Sequence, residues 1–87
     1  MEPKIIIVGA VWCKPCKVLK EEIDRLKVEM VIPIEKLDIE EDEEKVEGFN
    51  VTSLPTSIFT INGEEKERLV GAKDFSNFLE KCKSYLE

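Results

Sequence analysis

The 87-residue chain has no histidine and only three cysteines. Zinc takes four ligands, most often Cys or His. A monomer of this sequence therefore cannot build a four-ligand Cys/His site, although a dimer pooling two cysteine pairs remains open. An odd cysteine count also argues against a secreted disulfide framework, which usually has four, six or eight. Positive charge is scarce: 13 Lys and Arg face 19 Asp and Glu, a net charge of −6. The basic footprint of a nucleic-acid binder is missing, and an anionic membrane surface would repel the chain. Long apolar runs are missing too. The first stretch, MEPKIIIVGAVWC, is broken by Gly9 and lacks an A-x-A-like cleavage site. No run approaches the roughly 18 residues of a membrane span. The expectation is a cytoplasmic protein, where a close cysteine pair is catalytic or metal-binding rather than structural. With 43% hydrophobic residues, the chain suits one small domain, residues 1–87, with a lean core.

What is present reads as alternating strands and helices. KIIIVGA (residues 4–10) is a continuous β-branched run, as in a strand buried on both faces. From Pro15 to about Val28 the period changes. Cys16, Leu19, Ile23, Leu26 and Met30 recur at spacings of three and four, which predicts an amphipathic helix, with Lys17/Glu21 and Glu21/Arg25 as supporting pairs. MVIPIEKLDI (30–39) predicts a second strand, and the acidic run that follows is a solvated face. Val46 and Phe49 give a short helix one apolar edge. TSIFTI, Asn62-Gly63 and EEKERLVG predict a hairpin. Phe75, Phe78, Leu79, Cys82 and Leu86 mark one face of a last helix that starts near Asp74 or Ser76. The order β-α-β, short helix, β-hairpin, α predicts an α/β domain. The first two strands pair in parallel through a right-handed crossover, in a four-stranded mixed sheet with helices on both faces.

The chemistry gathers at Cys13-Lys14-Pro15-Cys16. Residues three apart lie on one helix face, close to the Cα separation of ~4.4–6.8 Å that a disulfide needs. Cys13 is placed at the helix start, where free N–H groups and the dipole stabilise an anion, and Lys14 and Lys17 add positive charge. These effects are expected to lower its thiol pKa below the free value of ~8.5. Pro15 suits a first turn, because no N–H donor is needed there. Cys16, one turn in and on the apolar face, is expected to be the more buried and less reactive thiol. These positions make Cys13 the attacking thiolate and Cys16 the resolving thiol of a dithiol–disulfide cycle. Cys82, on the core stripe of the last helix, reads as a small buried hydrophobe.

A WCKPCK motif after an apolar strand and at the opening of a helix resembles the thioredoxin family, and the likeness runs along nearly the whole chain. The resemblance implies a thioredoxin-like fold and a cis Leu54-Pro55 bond in VTSLPTS. It also matches FTINGEEKERLVGAKD to the family hairpin and the glycine after it, Gly71. Trp12, Leu54, Pro55, Val70 and Gly71 would rim a shallow apolar groove that takes an extended substrate segment. The plain alternatives are core packing for Trp12, β-packing for Val70, a turn or bulge for Gly71, and a solvated strand end for Lys36. Three departures stand out. The sequence starts directly at the central strand, giving the smaller outline of glutaredoxins. Ile7 stands where the family carries a buried acid, although Lys36 matches the lysine that pairs with it, so a slower resolving step is expected. Lys14 replaces the usual glycine.

The reading is a thiol-disulfide oxidoreductase with no cofactor beyond its own disulfide. Expected partners are protein disulfides and a thioredoxin-reductase-type electron donor, and the expected state is a monomer. A glutathione-dependent, glutaredoxin-like reductase is the alternative, with Asp74 as a candidate glutathione ligand. Trp12 and Ala72 favour the first reading, and an N-cap is the simpler role for Asp74. From another class come a non-catalytic interaction module and a zinc-bridged dimer on the same fold.

Overall fold

The computed structural model describes residues 1–26 and 31–87. The apolar run near the N-terminus forms β1 (Pro3–Gly9), in which Ile5, Ile6, Ile7 and Val8 are all buried. Burial on both faces follows from its central place. Its neighbours are the parallel strand β2 (Ile34–Asp38) and the antiparallel strand β3 (Thr56–Ile61), and β4 (Glu64–Val70) completes the order β2-β1-β3-β4. Asn62 and Gly63 both take positive φ, 53° and 83°, as a two-residue hairpin turn between β3 and β4 requires. The sheet is four-stranded and mixed, as the element order predicts.

Alternation along β1 and β3 divides the core in two. Ile5, Ile7 and Phe59 face Leu19 and Ile23 of α1 (Lys14–Leu26) and Phe75, Phe78, Leu79 and Cys82 of α3 (Phe75–Ser84). Ile6, Val8 and Ile58 point the other way, joined by Leu37. They are covered by Val46 of α2 (Glu43–Glu47) and by Phe49, Val51 and Leu54 beyond it. Helices therefore cover both faces.

Several local expectations are corrected. The second strand is shorter than residues 30–39. It begins after Pro33, which has no N–H to give to a ladder but accepts the Ile5 N–H at 2.9 Å. The expected helix end near Val28 and the apolar position Met30 lie outside the described residues. On α1 the ion pair is Arg25–Glu22, not Glu21/Arg25 or Lys17/Glu21. Three-residue spacing brings side chains as close as four, and Ser76 Oγ of α3 also donates to Glu22, at 3.4 Å. Asp74 does occupy the N-cap position of α3. Its backbone is left-handed (φ 64°), however, and its side chain makes no capping hydrogen bond; its carbonyl accepts the Phe78 N–H at 3.0 Å. Leu86 lies beyond the end of α3 yet still packs on the core.

Cys82 is fully buried, and burial together with the nearby Glu67 charge pushes its thiol up to about 12. At pH 8 about one molecule in ten thousand would hold it as thiolate. The oxidised, folded protein is therefore expected to take up no iodoacetamide at pH 8, and one equivalent in denaturant, as read by mass. Rapid labelling of the folded protein would contradict this burial.

Candidate active site

The site is built where β1 ends and α1 begins. After Gly9 the chain turns, and the Cys13 N–H donates to the Ala10 carbonyl at 3.2 Å. The Cys13 carbonyl then accepts the Lys17 N–H at 3.3 Å, and its Sγ receives the Cys16 N–H at 3.2 Å. A cysteine sulfur thus stands where an N-cap oxygen usually sits, receiving an N–H that the helix itself leaves unpaired. Cys13 and Cys16 are joined in a disulfide, with Cα atoms 5.3 Å apart. The local cause is the sequence: Pro15 needs no donor in the first turn, and the three-residue spacing puts both sulfurs on one face.

The order of burial is the reverse of the expected one. Cys13 is 6% exposed, whereas Cys16 is half-buried. Folding Cys13 under its own helix start covers it. Cys16 instead borders a cavity of about 460 Å³, whose wall includes Gly9, Ile7 and Lys36. A Cβ on Gly9 would lie 3.1 Å from Cys16 Sγ, so the bare backbone at the end of β1 is what admits that sulfur. Cys13 borders a different hollow, about 660 Å³, together with Trp12, Lys14, Pro15, Ile39, Val46 and Leu54. The walls of the two hollows share no residue.

The other sequence-derived residues divide into two groups. Trp12 (62% exposed), Lys14, Pro15 and Leu54 line the Cys13 groove. Leu54-Pro55 is cis, as the resemblance implies, but Pro55 is buried, and its carbonyl accepts the Gly71 N–H at 2.8 Å. Val70 and Gly71 do not line the Cys13 groove. The β3–β4 register sets exposed Val70 opposite Thr56, and Gly71 follows beside Pro55 with φ 97°, a left-handed conformation that favours glycine. Lys36 is exposed at the Cys16 cavity.

Sequence reasoning missed Glu40. Its Oε1 accepts the Trp12 indole N–H at 2.6 Å and so pins the groove's largest side chain. Ile39, Val46 and Val51 complete the apolar wall. Glu40 lies in an acidic run with no periodicity, 28 residues from Trp12, and no local pattern marks it. Glu40→Ala is expected to free the indole, lowering Trp12 fluorescence anisotropy. It should also weaken turnover of a protein disulfide about fivefold, the scale of one hydrogen bond. Glu40→Gln, which keeps an acceptor, should be milder.

The resolved ionisation shifts lie away from this site. Hydrogen bonds from Tyr85 and Lys81 hold Glu67 below the usual carboxylate range, and Arg68 does the same for Glu65. Among the described residues, no group of three or more His, Cys, Asp or Glu could hold a metal ion, and no helix is long and apolar enough to cross a membrane.

The family model for thioredoxin matches residues 2–84. The chain belongs to the thioredoxin family. Thioredoxin from Chlamydia muridarum is 44% identical over 66 residues, covering 75% of this chain and 65% of that protein. The chloroplastic M-type thioredoxin of Spinacia oleracea is 35% identical over 86 residues, 97% of this chain and 48% of that one. The chain thus spans about half to two thirds of the length of these relatives. Among solved structures, Fasciola hepatica thioredoxin superposes with a TM-score of 0.84 at 26% identity, over 95% of this chain and 80% of that one. A variant thioredoxin from Halobacterium salinarum gives 0.87 at 26% identity, over 99% and 76%. The fold is the thioredoxin-like fold that the WCKPCK resemblance implies.

Proposed function

We propose that this chain, as one domain over residues 1–87, is a thiol-disulfide oxidoreductase that reduces protein disulfides through Cys13 and Cys16. The observation that carries the reading is the disulfide itself, set at a strand-to-helix turn with Cys13 on an apolar groove. In the reduced protein, the Cys13 thiolate attacks one sulfur of a substrate disulfide. That S–S bond breaks, the other substrate sulfur leaves as thiolate, and a mixed disulfide forms. The Cys16 thiol loses its proton and attacks Cys13 Sγ, which expels the second substrate sulfur and closes the Cys13–Cys16 bond. The Cys16 N–H, 3.2 Å from Cys13 Sγ, favours negative charge on the attacking atom.

Trp12, Lys14 and Pro15 shape the groove, and Lys36 supplies positive charge on the Cys16 side. Leu54, Pro55, Val70 and Gly71 form the ground for an extended substrate segment, whose backbone pairs beside Pro55. No cofactor is required beyond the disulfide. Protein disulfides and a thioredoxin-reductase-type donor are the proposed partners, in the cytoplasm, with the protein as a monomer that binds neither nucleic acid nor membrane. The glutathione-dependent reading keeps Asp74 as its candidate ligand, a residue whose side chain makes no capping bond.

The test is reduction of insulin by dithiothreitol with and without the protein, followed by replacement of dithiothreitol with NADPH and a thioredoxin reductase, or with glutathione. Acceleration with the reductase supports the main reading. Acceleration with glutathione alone supports the alternative, and none in any arm leaves an interaction module.

A further inference from the structure

One wall of the Cys13 groove is irregular backbone: Val51, Thr52, Ser53 and Leu54, between α2 and Pro55, all border it. Among the described residues, no backbone-to-backbone hydrogen bond starts or ends within this segment. Its course is therefore set at its two ends. We propose that Arg68, on the edge strand β4, is a positioning residue for disulfide exchange: its guanidinium holds the Phe49 carbonyl and thereby fixes the wall against which the substrate segment lies. This rests on the oxidoreductase reading above and adds a residue that does not itself border the groove.

The β3–β4 register sets Arg68 opposite Ile58, which packs on the α2 side, so Arg68 stands on that same face. From there its Nη2 donates to the Phe49 carbonyl at 2.7 Å. Nη2 and Nε also donate to Glu65, at 2.8 and 2.9 Å. A guanidinium is a rigid planar fork, so gripping Glu65 with two hydrogens aims a third at Phe49. The Arg68 side chain is 28% exposed and that of Glu65 41%, and an ion pair so placed adds little stability by itself. Its effect is to hold the fork in direction.

Phe49 is where such a bond has leverage. It follows the end of α2, where carbonyls lack helical partners, and among the described residues no backbone N–H reaches its own. That carbonyl shares a peptide plane with the Asn50 N–H, which donates to the Glu47 carbonyl at 3.4 Å. Arg68 and Glu47 thus hold one plane from both sides. Asn50 then takes φ 52°, the left-handed conformation that Asn tolerates, and the chain enters the groove wall. At the far end the Thr56 hydroxyl donates to the Ser53 carbonyl at 2.6 Å. Val51 and Leu54 pack on the apolar core between these two holds. Without Arg68 the plane is left to the long Glu47 bond, and the wall loses one of its anchors.

Arg68→Met tests this, because it keeps the apolar stem and removes every donor. Reduced protein, freed of dithiothreitol, is mixed with insulin or with neutral bis(2-hydroxyethyl) disulfide. About 0.3 M salt screens the altered charge. Oxidation is read through Trp12, the only tryptophan. A small disulfide needs no wall for a chain segment, whereas insulin does. The ratio of the insulin rate to the small-disulfide rate is expected to fall about fivefold, the scale of one hydrogen bond. The loss should lie in the half-saturating insulin concentration and not in the limiting rate. Glu65→Ala leaves the Phe49 donor in place and should lower the ratio no more than about twofold. If Arg68→Met does not fold, Arg68→Gln, too short for the same reach, carries the comparison. An unchanged ratio, a loss carried by the limiting rate, or an equal loss in Glu65→Ala each overturns the proposal. Wild-type protein that insulin leaves reduced sinks the underlying oxidoreductase reading separately.

Discussion

Cys13→Ser is expected to bring insulin reduction down to the dithiothreitol background, a loss of about a thousandfold or more. A serine hydroxyl yields no thiolate near neutral pH and forms no S–S bond, so both the attack and the mixed disulfide vanish. Cys16→Ser should behave differently: the first attack proceeds, nothing resolves it, and the substrate stays bonded to Cys13. A covalent adduct that dithiothreitol releases is the expected product, seen as a mass increase on non-reducing gels. The contrast matters because residue burial alone would assign the roles the other way, with Cys16 the less buried cysteine in the oxidised protein. The assignment to Cys13 relies instead on the N–H that its sulfur accepts and on the groove that it borders. If Cys13→Ser accumulates the adduct and Cys16→Ser is silent, the roles exchange and the groove loses its claim on the substrate.

Local and periodic signals carried most of the architecture. The run KIIIV is buried on both faces because four consecutive apolar residues leave neither side for water. Asn62-Gly63 makes its turn because both positions need positive φ. The cysteine pair was equally legible, since spacing and helix position fix its chemistry. The groove was less so. Glu40 reaches Trp12 across 28 residues, from an acidic run whose composition says only that it faces water. Val46, placed by periodicity on a short apolar edge, also walls the groove, and only the approach of α2 to the site reveals this second use. Val70 and Gly71 lie beside Thr56 and Pro55 through the β3–β4 register, and the relative burial of Cys13 and Cys16 depends on the space left beside Gly9. These are tertiary outcomes with no local pattern in the chain.

Ile7→Asp is expected to accelerate the resolving step by about tenfold or more, the scale of a modest general acid–base contribution. Ile7 is 8% exposed and borders the same cavity as Cys16 and Lys36, so a carboxylate there would be placed to take up the Cys16 proton. The cost is stability, about 2–3 kcal/mol for exchanging a buried apolar group for an ionisable one. Two neighbours moderate it. Lys36 offers opposite charge across the cavity. Ser57 is paired with Ile7 across β1 and β3, and its buried Oγ has no hydrogen-bond partner among the described residues. That hydroxyl can donate to the new carboxylate, so adding Ser57→Ala should make the substitution costlier. Burial favours the neutral acid and places its folded pKa above the unfolded value of about 4. The variant's deficit should therefore widen as pH rises from about 4 and level off once the folded carboxyl has ionised. Thermal unfolding across that range reads the position of the plateau. Ile7→Asn separates proton transfer from mere polarity: it suffers a similar loss of stability but has no group that takes a proton. A rate gain shared equally by both variants, or absent from Ile7→Asp, would show that the missing acid does not limit how fast Cys16 resolves.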